Sequence, residues 1–128
     1  MKTVLVVDDS KTARKVTREC LAKSGCFPTA EIIDAENGRL ALDTIKSRQV
    51  DLVFTDSSMP EMDGLELVTQ LKANPRWKGI PVIVVSAMDN RLKAEFLKLG
   101  VDGILFKPVF VEDLKKALER VIPPGQLW

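Results

Sequence analysis

Five short apolar runs recur along the 128 residues: Val4–Val7, Ile32–Ile33, Leu52–Phe54, Val82–Val85 and Ile104–Phe106. They are rich in Val, Ile, Leu and Phe and mostly continuous rather than alternating, as parallel strands covered on both faces are. Each is followed by a segment of helical spacing. Leu114, Ala117, Leu118, Val121 and Ile122 make one buried stripe of the i, i+3, i+4, i+7, i+8 kind. Ala13, Val16, Cys20 and Leu21 make another, with Ser10 as N-cap and Gly25 beyond the end. Leu67, Val68 and Leu71, then Leu92, Phe96 and Leu99, mark two more. Gly38 to Arg48 completes the set through Ala41, Leu42 and Ile45. Strand and helix alternating five times imply right-handed crossovers. The expected fold is a doubly wound, five-stranded parallel α/β sheet with five helices on both faces. Residues 1–122 form its single domain. Pro123-Pro124-Gly125 stops the last helix, and 123–128 is a short tail.

Ligands of open α/β sheets bind beyond the carboxyl ends of the strands. Asp8 and Asp9 follow the first run, Asp56 the third, Ser86 the fourth and Lys107-Pro108 the fifth. Asp34 and Glu36 fall in what reads as a turn, Asp34-Ala35-Glu36-Asn37-Gly38. Three carboxylates, a hydroxyl and an ammonium therefore converge on one rim. With no histidine in the chain, Ser-His-Asp and Cys-His pairs and His-ligated zinc are excluded. Crowded carboxylates hold their charges poorly without a cation, and an all-oxygen set suits Mg²⁺, or Mn²⁺, better than zinc. Such a site is equipped for phosphoryl transfer, with Asp56 as nucleophile and Ser86 and Lys107 on the phosphoryl oxygens. Each residue has a plainer role as well. Asp8 is a helix N-terminal charge, Asp9 an Asx cap, Asp56 a turn former, Ser86 a cap and Lys107 a solvated lysine. Two adjacent Asp leave one without a structural task, and Pro108 restrains the Lys107 backbone and permits a cis bond.

The remaining composition bounds partners and compartment. Cys20 and Cys26 have the spacing of neither a redox nor a zinc motif, and Cys20 lies on the apolar stripe as a core residue. Two unpaired thiols, no signal peptide and no apolar stretch longer than Ile80 to Val85 suit the cytoplasm. Nineteen Lys and Arg against eighteen Asp and Glu leave a net charge of +1, so no global field favours nucleic acid or a membrane.

These pieces resemble the receiver domain of two-component response regulators, especially the short stand-alone CheY-like type. The resemblance runs from Val4 to about Ile122, through VLVVDDS with Arg14 four residues on, DAENG followed by AL, DLVFTDSSMPEMDGLEL, PVIVVSA and GILFKP. It implies the flavodoxin-like strand order 2-1-3-4-5. It implies Asp56 as phosphoacceptor, and Mg²⁺ on Asp9, Asp56 and the Ser58 carbonyl, with Asp8 acting through water. Ser86 and Lys107 would contact the phosphoryl group, and Ala87 would touch it through its backbone. The donor would be a histidine kinase or phosphotransfer protein. A downstream protein, in chemotaxis, motility or a phosphorelay, would read the face of the fourth helix, fifth strand and fifth helix.

Departures from the family pattern are equally informative. Ile104 stands where CheY-type regulators carry a switching aromatic residue. It is expected either to slide toward space vacated by Ser86 or simply to pack under the last helix. Ser58 and Met88, which would flank the hydrolytic water, offer no carboxamide or carboxylate. A flavodoxin-like FMN carrier is disfavoured by two negative charges in the first loop and by 5% aromatic content. A phosphatase of the haloacid dehalogenase type is disfavoured because Asp8 and Asp9 are adjacent rather than two apart. A pseudo-receiver, an interaction module without phosphorylation, is disfavoured by the presence of all five key residues.

Overall fold

Described in the computed structural model are residues 1–87 and 89–128. The chain alternates β1 (Thr3–Val7), α1 (Lys11–Ser24), β2 (Glu31–Ala35), α2 (Gly38–Ser47), β3 (Leu52–Asp56), α3 (Gly64–Ala73), β4 (Val82–Ser86), α4 (Asn90–Lys98), β5 (Gly103–Phe106) and α5 (Val111–Leu118). All strand pairs are parallel, in the order β2-β1-β3-β4-β5. The expected architecture and strand order are those observed.

Period-two alternation of the strand residues divides the core into two layers. Leu5, Val7, Val53, Val82 and Val84 pack against Leu42 and Ile45 of α2, Leu67 and Leu71 of α3 and Phe96 of α4. Val4, Val6, Leu52, Phe54, Ile83 and Val85 pack against Cys20 and Leu21 of α1 and Leu114 and Leu118 of α5. The three inner strands, β1, β3 and β4, are buried along their whole length, which is why their sequences read as apolar runs, whereas the edge strands β2 and β5 are only half-buried.

Local chemistry sets where most helices start. Ser10, Asn37, Asp63 and Asp89 each accept backbone N–H groups from the first turn of α1, α2, α3 and α4. These bonds satisfy donors that have no partner within the helix. The α5 N-cap, Phe110, has no such side chain, but Glu112 and Asp113 place negative charge in its first turn. Gly25 closes α1 at φ 71°, the left-handed conformation glycine adopts without strain.

Three sequence expectations are corrected. Val16 is 45% exposed, whereas Arg14 and Thr17 are buried on the inner face of α1. Val16 lies two residues, roughly 200° of helical turn, from Arg14. The inner face is set by Arg14, whose Nη1 donates to the Asp8 carbonyl at 2.6 Å. Next, α5 ends at Leu118. Val121 and Ile122 follow in a turn, both donating N–H to the Leu118 carbonyl, and Ile122 remains buried. Finally, Asp34 belongs to β2 rather than a turn, and it pairs with Arg14 and Arg18 of α1. Within the segment 123–128, Trp128 is only 8% exposed. Its ring meets Phe27 edge to face, and its backbone N–H donates to the Cys26 carbonyl at 2.8 Å.

Gly64 brings the first turn of α3 against the end of β3, where a methyl group would overlap the Asp56 carbonyl oxygen. Gly64→Ala is therefore expected to destabilise the protein by about 1–3 kcal/mol, as overpacking does. Gly79, with open space around it, serves as control, and Gly79→Ala is expected to stay within about 0.5 kcal/mol. Urea denaturation of the two variants checks this.

Candidate functional site

The chain leaves β1 for β2 on one side, and β3 then pairs with the other side of β1. A crevice opens above β1 and β3 at that reversal. Asp8 follows β1 and Asp56 ends β3, so the topology alone makes these two carboxylates neighbours. One carboxylate oxygen from each of Asp8, Asp9 and Asp56 lies within 4.8 Å of the others. Asp8 and Asp56 are buried and Asp9 is exposed.

Each of the buried pair is held by its own loop. Asp8 Oδ1 accepts the Ser10 N–H at 2.9 Å, while its backbone N–H donates to the Ala35 carbonyl of β2. Of the plainer roles, that of a local Asx-type acceptor thus falls to Asp8 rather than Asp9. Arg14 adds the bond to the Asp8 carbonyl and an ion pair to Asp34 at 3.3 Å, tying the loop to β2. Asp56 Oδ1 accepts the Ser57 N–H at 2.9 Å. Lys107, beyond the end of β5, places Nζ 3.3 Å from both Asp8 Oδ2 and Asp56 Oδ1. Its backbone N–H donates to the Ser86 carbonyl at 2.8 Å, linking the ends of β4 and β5. The Lys107–Pro108 bond is cis.

The electrostatics follow from this packing. Burial raises the affinity of Asp56 for a proton, the Asp8 carboxylate raises it further, and Lys107 only partly opposes them. Burial alone would lower Lys107, but the attraction of Asp56 and Asp8 outweighs it and its proton is held more tightly than usual. The pocket is thus short of positive charge. Hard oxygen donors, clustered and underneutralised, with no sulfur or imidazole among them, fit Mg²⁺ or Mn²⁺.

The other residues singled out from the sequence lie around this rim in unequal ways. Ser58 is exposed in the β3–α3 loop, and Ala87 is exposed just past β4. Ser86 ends β4 and is buried, but among the described residues its hydroxyl makes no hydrogen bond to the carboxylates. It donates to the Ala87 carbonyl at 2.9 Å and lies 2.7 Å from the Ser57 hydroxyl. Ile104 packs on the layer that includes Val84 and Phe96, beneath α4, and not under the last helix. Met88 lies outside the described residues. Sequence reasoning passed over Ser57, although extending the β3–β4 register one step beyond Asp56↔Val85 sets it opposite Ser86. It also left Arg14 without a task, its partner Asp34 having been read as part of a turn.

Similarity to known proteins agrees with the geometry. The family model of the response regulator receiver domain matches residues 4–119. The chain is 36% identical over 124 residues to a chemotaxis protein CheY homolog of Campylobacter jejuni, spanning 95% of this chain and 93% of that protein. It is 36% identical over 121 residues to the protein PilG of Pseudomonas aeruginosa, spanning 94% of this chain and 87% of PilG. The solved structure of chemotaxis response regulator CheY4 of Vibrio cholerae superposes with a TM-score of 0.80 at 32% identity, over 95% of this chain and 99% of that one.

The raised proton affinity of Asp56 has a consequence for stability. Well below the ordinary carboxylate pKa, both folded and unfolded chains carry the proton and Asp56 contributes nothing. As pH rises, the unfolded chain ionises first and stability falls, until the folded carboxyl ionises too and the penalty becomes constant. Without divalent cations, Asp56→Asn is therefore expected to melt above wild type at pH 7. The gap should close as pH falls toward 3.8, the ordinary Asp value. Thermal melts in a chelator across this range check it, and equal melting at pH 7 would refute the electrostatic argument.

Proposed function

The chain belongs to the response regulator receiver domain family, of the CheY-like kind, and from that premise we propose that it is a signalling switch phosphorylated on Asp56. One observation carries this reading. Lys107 touches two buried carboxylates at the crevice; among the described residues Asp8 has both oxygens engaged, by the Ser10 N–H and by Lys107, whereas only one oxygen is engaged on Asp56. Asp56 Oδ1 is held by Ser57 and Lys107. Oδ2 carries no hydrogen bond among the described residues and is open to an incoming phosphorus.

The donor is a phosphohistidine of a histidine kinase or phosphotransfer protein. The bond from the Asp56 carboxylate oxygen to phosphorus forms as the P–N bond breaks, and the imidazole leaves with the electron pair and takes up a proton. Lys107 pairs with a phosphoryl oxygen, its raised proton affinity keeping it charged through the transfer. Ser86 donates to a second oxygen once its hydroxyl turns, and Ala87 contacts the group through its backbone. Asp9, Asp56 and the Ser58 carbonyl would hold Mg²⁺ with Asp8 acting through water, and the ion would neutralise charge on the transferring oxygens. Ser58 leaves hydrolysis of the acyl phosphate without a carboxamide or carboxylate to position water from its side of the site. The protein acts as a phosphoacceptor rather than an enzyme on other substrates.

The signal leaves through the face of α4, β5 and α5. Leu97 and Phe110 are exposed there, 54% and 62% respectively, beside Lys93, Lys116 and Arg120. A downstream protein of chemotaxis, motility or a phosphorelay docks on this surface. Nucleic acid is not the expected partner. No helix of the described residues is long and apolar enough to cross a membrane, and a cytoplasmic location is proposed.

Incubation with Mg²⁺ and a small acyl-phosphate donor is expected to add one phosphoryl group, labile to hydroxylamine. Asp56→Asn should abolish it while folding normally, and Asp9→Ala should remove most of its dependence on Mg²⁺. Modification of Asp56→Asn at the wild-type rate, or addition at Ser57 or Ser58, would overturn the assignment. Mass spectrometry of the intact protein and its peptides reads each result.

A further inference from the structure

Ser57, directly after Asp56, is buried and lies 2.7 Å, hydroxyl to hydroxyl, from Ser86. Each serine has one proton to give. Ser86 gives its proton to the Ala87 carbonyl, which can only accept. The proton between the two hydroxyls must then be that of Ser57, with Ser57 donating and Ser86 accepting. Strand alternation places this pair on the layer of Val53, Val82 and Val84, facing α2, α3 and α4. Asp56 alternates to the other side.

We infer that Ser57 is a latch on the unphosphorylated state, holding Ser86 turned away from the phosphoryl site. This rests on the reading of Asp56 as phosphoacceptor and Ser86 as its hydroxyl ligand. To reach a phosphoryl oxygen, Ser86 gives up Ala87 as acceptor and also leaves the Ser57 hydroxyl, a buried donor, without its partner. An orphaned buried donor carries a desolvation penalty, so the latch opposes the switched state. Ser57 is a positioning residue: it touches neither the carboxylate oxygens nor the incoming group through its hydroxyl, and it acts through Ser86. A hydrophobic or small residue in its place would leave Ser86 freer to turn. The resting population of the switched conformation is thereby set by a side chain adjacent to the phosphoacceptor rather than by the phosphate ligands themselves.

Titration of beryllofluoride with Mg²⁺, followed by backbone amide NMR, tests the latch. Wild type is expected to saturate, and Ser57→Ala to bind about 3- to 10-fold more tightly, the effect of one net hydrogen bond removed from the resting state. Ser57→Thr keeps the hydroxyl and should stay within about twofold of wild type. With Ser86→Ala in place, Ser57→Ala should no longer change the affinity, a coupling that a merely structural role would not produce. If Ser57→Ala folds poorly, Ser57→Cys, whose thiol is a weak donor, should bind more tightly than wild type. Wild-type saturation with no tightening in the foldable variant overturns the latch and leaves the phosphoacceptor reading standing. Failure of wild type to bind beryllofluoride overturns both.

Discussion

Two carboxylates that end neighbouring parallel strands, with one ammonium reaching between them, are the arrangement on which the rest of this molecule turns. Asp8 and Asp56 meet because β1 and β3 are adjacent, and those strands are adjacent because the chain first goes out to β2 and then returns. Lys107 arrives from β5, two strands beyond β3, and still lies 3.3 Å from both acids. Burial and mutual repulsion make this a place where negative charge is held at a cost that a divalent cation would relieve. The same features that weaken the apo protein make the site suited to a charged ligand.

The path from the site to the surface is short. Ser86 ends the strand beside β3, and its carbonyl accepts the Lys107 N–H. On the proposed reading of Asp56 as phosphoacceptor, a change there that moves Ser86 reaches the ends of β4 and β5 together. Ile104 sits in register with Val84, beneath α4, and has neither a ring to swing nor a hydroxyl to expose. In the proposed switch, loop and hydroxyl movements at Ser86 and Ala87, with Lys107, supply most of the conformational bias. Coupling of ~1–3 kcal/mol is usual for such two-state devices, a range in which one hydrogen bond matters.

Much of this was legible in the sequence because parallel strands buried on both faces produce unbroken apolar runs whose last residues point to the site. Asp8, Asp56, Ser86 and Lys107 could be placed by that rule alone, and Ser10 and Gly25 by cap chemistry. Other features depend on tertiary contacts that periodicity does not encode. Arg14 is buried, and Val16 is displaced to the surface, because a guanidinium finds the Asp8 carbonyl and Asp34. Ile122 stays in the core without being helical, and the Trp128 ring closes over Phe27 although its segment reads as a tail. The side to which Ile104 points was available from strand alternation, whereas the orientation of the Ser86 hydroxyl is a rotamer choice made only once Ser57 and Ala87 are in place.

In the proposed switch, charge placed on Asp56 is transmitted through Ser86 to the α4–β5–α5 face. Amide NMR of the protein with Mg²⁺, before and after loading with beryllofluoride, measures it directly. Expected are shift changes at Asp56 and Ser57 that continue through Ser86, Ala87, the length of α4 and Ile104. Changes confined to the residues around Asp56, with α4 and Ile104 silent, would contradict it.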